Sequence, residues 1–182
     1  MRLIFINDMI KKLFYAFLPL SLCLLWACGK EKILFEKQYD LQNQQWTYSD
    51  TLNFAFNITD TMAIYDIVLV LKHTPQYAMQ NIYTHIYTQF PKGERVKQLL
   101  NMDLADNTGK WEGNCNGSEC DFEIPIQPNA FFNQTGQHII TLEQYMRTET
   151  LAGIKNITLK IVDKGIKRDL EAEKAAKTKK KK

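Results

Sequence analysis

The chain has 182 residues, of which 45% are hydrophobic and 12% aromatic, with a formal net charge of +3. That length fits one domain with end segments, and that apolar share excludes a disordered chain. The charge is unevenly spread: residues 28–163 carry 11 basic and 16 acidic side chains, whereas 164–182 carry nine basic and three acidic, so the whole-chain balance is no argument for a nucleic-acid partner.

The N-terminus reads as an address. Lys11 and Lys12 precede an uncharged run from Leu13 to Ala27, the pattern of a secretory signal peptide over 1–27. As a helix those residues rise about 22 Å, short of the roughly 30 Å hydrocarbon layer, and Pro19 weakens a span further. The run ends Leu25-Trp26-Ala27-Cys28-Gly29, which resembles a lipobox and makes Cys28 the expected lipidation site. Trp26 departs from the small residue usual there. More than one acyl chain at Cys28 would anchor the protein stably, where a single chain holds only marginally.

Beyond Cys28 the periodicity is that of strands. Leu52, Phe54, Phe56 and Ile58 alternate with Asn53, Ala55 and Asn57, the mark of a half-buried strand. Tyr65, Ile67, Leu69 and Leu71 alternate with Asp66, Val68, Val70 and Lys72, leaving both faces fairly apolar, as in a central strand. Alternation recurs at 82–88 and 137–147, and further strands are expected at 33–39, 96–104, 120–126 and 156–163. Turn residues separate them, among them Thr74-Pro75, Pro91-Lys92-Gly93, Pro128-Asn129 and Ala152-Gly153. About eight strands without a long helical pattern predict an all-β fold, an antiparallel β-sandwich of Ig-like or jelly-roll-like form. The domain is expected over 28–163 and a Lys-rich tail over 164–182, helical in part or disordered. The tail reads either as an adhesive for anionic lipid, polysaccharide or an acidic partner, or as a solubilising end.

Residues that could carry chemistry are sparse. Cys115 and Cys120 flank Asn116-Gly117, where the chain can double back. Outside the cytoplasm they are disulfide candidates, with free thiols as the alternative. A zinc site would need about four ligands, and no His stands near them. His73, His85 and His138 show no metal-ligand spacing, Ser118 lies outside any nucleophile elbow, and no phosphate loop is present. Glu119, Asp121 and Glu123 lack calcium-loop spacing. No catalytic residue, metal, cofactor, nucleic acid or small-molecule substrate is therefore expected. Trp46, Tyr77, Tyr83, Tyr87 and Trp111 could line a sugar- or protein-binding face, although packing within the sandwich is the simpler reading.

Several blocks together resemble the gliding motility lipoprotein GldH family of Bacteroidetes. Leu71-Lys72-His73-Thr74, Tyr77 and Asn81-Ile82-Tyr83 are similar to its "LRH…Y…NLY" block. Leu104-Ala105-Asp106 with Gly109-Lys110-Trp111-Glu112-Gly113 resembles "LAD…GKW.G". Gly136, Leu142-Glu143-Gln144-Tyr145-Met146-Arg147 and Leu151-Ala152-Gly153-Ile154 resemble "G…leQ.MR…L.GI". The Cys115–Cys120 loop, the Lys-rich tail, Thr158 and Lys160 depart from the pattern. The resemblance implies a non-catalytic, lipid-anchored component of the gliding and type IX secretion apparatus, whose partners are other envelope proteins and the membrane itself. Tyr77, Trp111 and Arg147, all within these blocks, become partner-binding candidates, and Arg147 could pair with Glu143. A carbohydrate-binding envelope lipoprotein is the alternative. The phylum implied attaches O-glycans at Asp-Thr-apolar sites, so Thr51 and Thr61 are glycosylation candidates. The sequence Gly29-Lys30-Glu31-Lys32 lacks the acidic cluster of surface-exported lipoproteins, which points to the periplasmic face of the outer membrane.

Overall fold

The computed structural model describes residues 32–171. The signal peptide, Cys28 and residues 172–182 of the tail lie outside the described residues. The strands are β1 (Lys32–Asp40), β2 (Gln45–Thr47), β3 (Leu52–Ile58), β4 (Ala63–His73), β5 (Asn81–Gln89), β6 (Arg95–Asp103), β7 (Asn114–Cys115), β8 (Cys120–Ala130), β9 (Gly136–Gln144), β10 (Thr150–Ala152) and β11 (Ile154–Lys167).

They form an all-β sandwich. One sheet has the order β1-β11-β4-β8-β7 and the other β3-β9-β5-β6, with every pairing antiparallel. A short β2–β10 ladder lies beside them. The alternation read from the sequence decides which face of each strand is buried. Along β3, Leu52, Phe54, Phe56 and Ile58 are buried and the residues between them exposed. In β4 the residues between the buried ones are only partly exposed, and β4 is the middle strand of five, as its two apolar faces require.

The inward faces meet in one core. Phe54, Phe56, Ile140 and Leu142 from one sheet join Leu69, Leu71, Leu159 and Ile161 from the other. Rings bridge the layers: Phe35 of β1 lies 5.6 Å from Phe56, and Tyr39 meets Phe54 edge-on at 5.1 Å. Fully burying one such side chain contributes about 1.5–3 kcal/mol. Tyr39 Oη donates to the Asn53 carbonyl at 2.7 Å, and Lys37 Nζ donates to the same carbonyl at 3.0 Å, tying the β1 edge of one sheet to the β3 edge of the other.

Strand extents differ from the sequence reading at three places, each for a local reason. β8 continues past the expected end at 126 to Ala130, through Pro128-Asn129, where a turn was expected. β7 pairs with Cys120 and Asp121 alone, so beyond them β8 is an edge strand, where a residue without an N–H is tolerated. Register shifts between Tyr65 and Val68 absorb the irregularity. β11 continues four residues past the expected end at 163, through a bulge at Gly165 (φ 69°). β9 stops at Gln144 rather than running to 147.

Candidate functional site

The sandwich has two distinct ends. β1 begins and β11 stops at one, together with the 59–62, 90–94 and 131–135 turns. The other end gathers the loops 41–51, 74–80, 104–119 and 145–153. Most of the blocks that resemble the family fall at this loop end.

One group is an aromatic cluster. His73, the last residue of β4, is fully buried. Its ring meets Trp111 at 4.6 Å and Tyr77 at 5.9 Å. Nδ1 lies 2.8 Å from the Thr74 carbonyl and donates to it, while Nε2 is buried without a partner. Burial outweighs that hydrogen bond and lowers the His73 pKa. Tyr77 is itself buried, which pushes its phenol pKa up. Trp111 is half-buried and bridges to Ala105. The turn between them is closed by Asp106, whose carboxylate accepts from Thr108 N at 2.8 Å, Thr108 Oγ1 at 2.6 Å and Lys110 N at 3.0 Å. These hydrogen bonds hold Asp106 below the usual carboxylate range. Tyr77 and Trp111 thus brace the loops from within.

A second group is a charge cluster on the outer face of the five-stranded sheet. Glu119 accepts from Lys155 at 2.6 Å and Lys72 at 3.1 Å, and Lys72 also meets Asp121 at 3.2 Å. The two lysines hold Glu119 down to about 2. Glu123 pairs with Lys160 at 2.8 Å. The three carboxylates are therefore matched by lysines. Beside them Cys115 and Cys120 form a disulfide. A shallow cleft of about 720 Å³ between Gln38, Lys72, Asn114, Glu123 and Lys160 opens on this face, with Val70 and Phe122 also in its lining.

The third feature is an apolar groove of about 740 Å³ lined by Met79, Tyr83, Leu99, Tyr145, Met146, Arg147 and Thr148. Tyr83, Leu99 and Tyr145 are 41%, 58% and 56% exposed. A contiguous exposed apolar patch rimmed by polar groups marks an interaction site, and Tyr and Arg are the residues that anchor such interfaces. The loop that supplies Tyr145 to Thr148 is held by the side chain of buried Gln144. It donates to the Thr148 and Glu149 carbonyls at 3.2 and 3.0 Å and accepts from Met146 N at 2.9 Å. Tyr48 Oη adds a bond to the Met146 carbonyl at 2.5 Å, and Tyr145 stacks on His85 at 4.0 Å.

Of the partner-binding candidates, Arg147 lies exposed on this groove, past the end of β9 and so off the strand face that carries Glu143. The groove brings in Met79, Leu99 and Tyr145, which the sequence reading did not single out. One signal was available: Leu99 stands between Gln98 and Leu100 in a strand whose other face turns inward, so one of two adjacent leucines had to face water. Thr51 is exposed just before β3, and Thr61 is half-buried in the turn before β4. Trp46 is fully buried in the core. Among the described residues no group of three or more His, Cys, Asp or Glu is placed to hold a metal, and no helix is long and apolar enough to cross a membrane.

The chain resembles known proteins both in sequence and in structure. The chain is 21% identical over 148 residues to a gliding motility lipoprotein GldH homolog of Christiangramia forsetii, covering 78% of this chain and 90% of that protein. Two infectious bursal disease virus structures, the VP2 subviral particle and the Gx strain, are each 15% identical, with TM-scores of 0.33 and 0.26. They cover 74% and 75% of this chain, which spans only 34% and 37% of those chains, and at these TM-scores the likeness says nothing of function. The model of the GldH lipoprotein family matches residues 33–161, from β1 into β11 and across both sheets, and the chain belongs to that family.

Proposed function

We propose that this chain is a lipid-anchored, non-catalytic component of the gliding motility machinery, with a structural or assembly role beside the type IX secretion apparatus. Its family membership supports the envelope lipoprotein reading, and the name of its relative supports the link to motility. The observation that carries the binding role is the groove of Tyr83, Leu99, Tyr145 and Arg147. It combines apolar side chains with the cationic Arg147, and the loop that supplies Arg147 is held by Gln144. An envelope protein presenting an apolar side chain flanked by a carboxylate fits it. Lipidation at Cys28 and the periplasmic face of the outer membrane complete the proposal.

A photo-crosslinking residue at Leu99 or Tyr145 in native membranes tests the reading. Adducts with gliding or secretion envelope proteins are expected, and their loss in an Arg147→Ala chain of normal abundance. If the Leu99→Asp/Tyr145→Ala protein accumulates normally and cells still glide and secrete, the groove is not the working surface. Cys28→Ser tests the anchor separately, because unprocessed but fully working protein would remove it. Occupied Thr51 or Thr61 would add sugar mass to the intact native protein, and its absence would remove that expectation.

The carbohydrate-binding alternative keeps less support. Trp46 is enclosed in the core, and His73 packs against the half-buried Trp111, which leaves less aromatic surface open for stacking a sugar.

A further inference from the structure

The two main sheets are open, so each presents two edges whose backbone groups invite another strand. Three of these edges are blunted. β1 and β3 are tied to each other at Asn53, whose carbonyl accepts from Tyr39 and Lys37 and whose N–H donates to Tyr39 Oη at 3.3 Å. β8 is covered by β7 at Cys120 and Asp121 and carries Pro125 and Pro128 beyond them. β6 has none of these devices. It pairs with β5 through nine consecutive residues without a register shift and contains no proline. Among the described residues no other strand and no further backbone hydrogen bond reaches it.

The register fixes which groups face the open side. Phe90 N–H donates to the Glu94 carbonyl at 2.8 Å, in line with the β5–β6 pairs. Bonded and non-bonded pairs alternate along an antiparallel ladder, so Val96, Gln98, Leu100 and Met102 turn their backbone groups to β5. On the other side of β5, Tyr145 N–H donates to the Tyr83 carbonyl at 2.7 Å, as that alternation requires. The N–H and C=O groups of Arg95, Lys97, Leu99, Asn101 and Asp103 therefore point away from the sheet. Their side chains place two cations at one end, Leu99 at the centre and an anion at the other end. Arg95, Lys97 and Asp103 take part in no ion pair among the described residues. Arg95 rests over the Tyr87 ring at 4.2 Å, and Asp103 accepts from the Asn101 side chain at 2.8 Å.

We propose that β6 pairs with β6 of a second copy of this chain, antiparallel about a two-fold axis at Leu99. Such an axis joins one surface to itself, and this strand is complementary to its own reverse. Arg95 meets Asp103 of the second copy, Lys97 meets Asn101, and Leu99 meets Leu99. All five residues with outward backbone groups then find partners of the same kind. A lysine on an edge ordinarily repels a second strand, but here Lys97 faces an amide with Asp103 diagonal to it, and no cation stands opposite another. Opposite charges across a strand pair favour it. The two four-stranded sheets become one of eight strands. Because Leu99 lines the apolar groove, the two grooves adjoin across the axis.

Cysteine cross-linking of the full-length chain in cells treated with a thiol oxidant tests the pairing. At the axis, Leu99→Cys lies about 5.5 Å, Cα to Cα, from its own counterpart, within the span of a disulfide. Val96→Cys is also exposed but would lie about 20 Å from its counterpart. A linked dimer is expected from Leu99→Cys and at least about tenfold less from Val96→Cys. Adding Lys97→Pro to Leu99→Cys removes an N–H on the open side and none that β5 uses. It should cut the linked dimer by at least about tenfold, with folding of the purified chain checked by circular dichroism. Arg95→Asp should lower it several-fold, and Arg95→Asp/Asp103→Arg should restore it. Equal linking at 96 and 99 overturns the proposal, as does linking undiminished by Lys97→Pro in a folded chain. Linking of Leu99→Cys to another envelope protein and not to itself overturns it too. A chain that links to itself while the groove captures no envelope protein keeps this inference and removes the groove reading.

Discussion

The side chain of Gln144 accepts the backbone hydrogen of Met146 at 2.9 Å while its amide nitrogen reaches forward to the Glu149 carbonyl at 3.0 Å. One buried residue at the end of β9 thus folds the next five residues back and presents Tyr145 and Arg147 to the groove. Gln144→Ala should cost about 1–3 kcal/mol, the sum of modest net hydrogen-bond contributions and of groups left unpaired. The Met146 amide should also exchange faster with solvent than the strand amides of β9. If partner binding survives while that amide loses its protection, the loop does not need to be preformed.

Two histidines set an acid limit on the fold. His73 and His138 are both fully buried, each with Nδ1 on a backbone carbonyl, of Thr74 and Gly136 respectively, and Nε2 unpartnered. His138 sits among Phe56, Phe90 and Phe132 at 4.8–5.8 Å. Burial lowers both pKa values, so the unfolded chain binds protons that the folded chain does not. Stability is then full above about pH 6.5, the ordinary histidine value, and falls as pH drops below it, by up to about 1.4 kcal/mol per pH unit for each ring. Denaturant midpoints measured from pH 7.5 to 5 should show this slope, and His138→Phe should roughly halve it. A flat profile for the wild-type chain would show that the rings take up protons inside the fold. Loss of the Glu119 pairing with Lys72 and Lys155 belongs to a separate window, beginning below the ordinary carboxylate range near 4.5 and complete only as pH approaches about 2.

Gly113 and Gly153 should respond unequally to alanine. Both have positive φ, 80° and 97°, a conformation that costs a side chain about 1–2 kcal/mol. A Cβ at Gly113 would also overlap the backbone of Asp121 and Phe122, which cannot move without parting β7 from β8. At Gly153 it would meet the Thr74 Oγ1 at 2.8 Å, an atom that can rotate away. Gly113→Ala should therefore lower the melting temperature more than Gly153→Ala, and the reverse order would contradict the backbone approach described for β7.

The Cys115–Cys120 bridge closes a short loop. In the chain-entropy account, a loop of that size contributes about 2 kcal/mol by restricting the unfolded state. Cys115→Ser/Cys120→Ser should lose that stability and leave the groove, formed by other loops, able to capture its partner. Loss of capture in a chain that remains folded would place the cysteine loop inside the interface.

The fold was largely legible because strands with one wet face must alternate, and β3, β4 and β9 do so over seven residues or more. β2, β7 and β10, at two or three residues, are too short to show a period. The expected β8 ended at 126 because Pro128-Asn129 reads as a turn, yet whether a proline ends a strand depends on whether a neighbour needs an N–H at that position. That is a property of the sheet order rather than of the segment. The site was legible only in part. Trp111 and Tyr77 stood out as aromatics in loops, but whether an aromatic braces a loop or faces water depends on contacts such as His73 to Trp111, which span 38 positions. Leu99, Met79 and Tyr145 come from three separate segments, and no local pattern announces that they converge.

The length of β11 has a consequence for reach. It runs the full height of the sandwich for 14 residues, and at roughly 3.3 Å per residue that is about 45 Å. The Tyr83–Arg147 groove belongs to the end where β11 begins, so the end where β11 stops lies nearly that far from it. Two partners bound at opposite ends would not touch, and a single partner that reached both would have to extend over several nanometres.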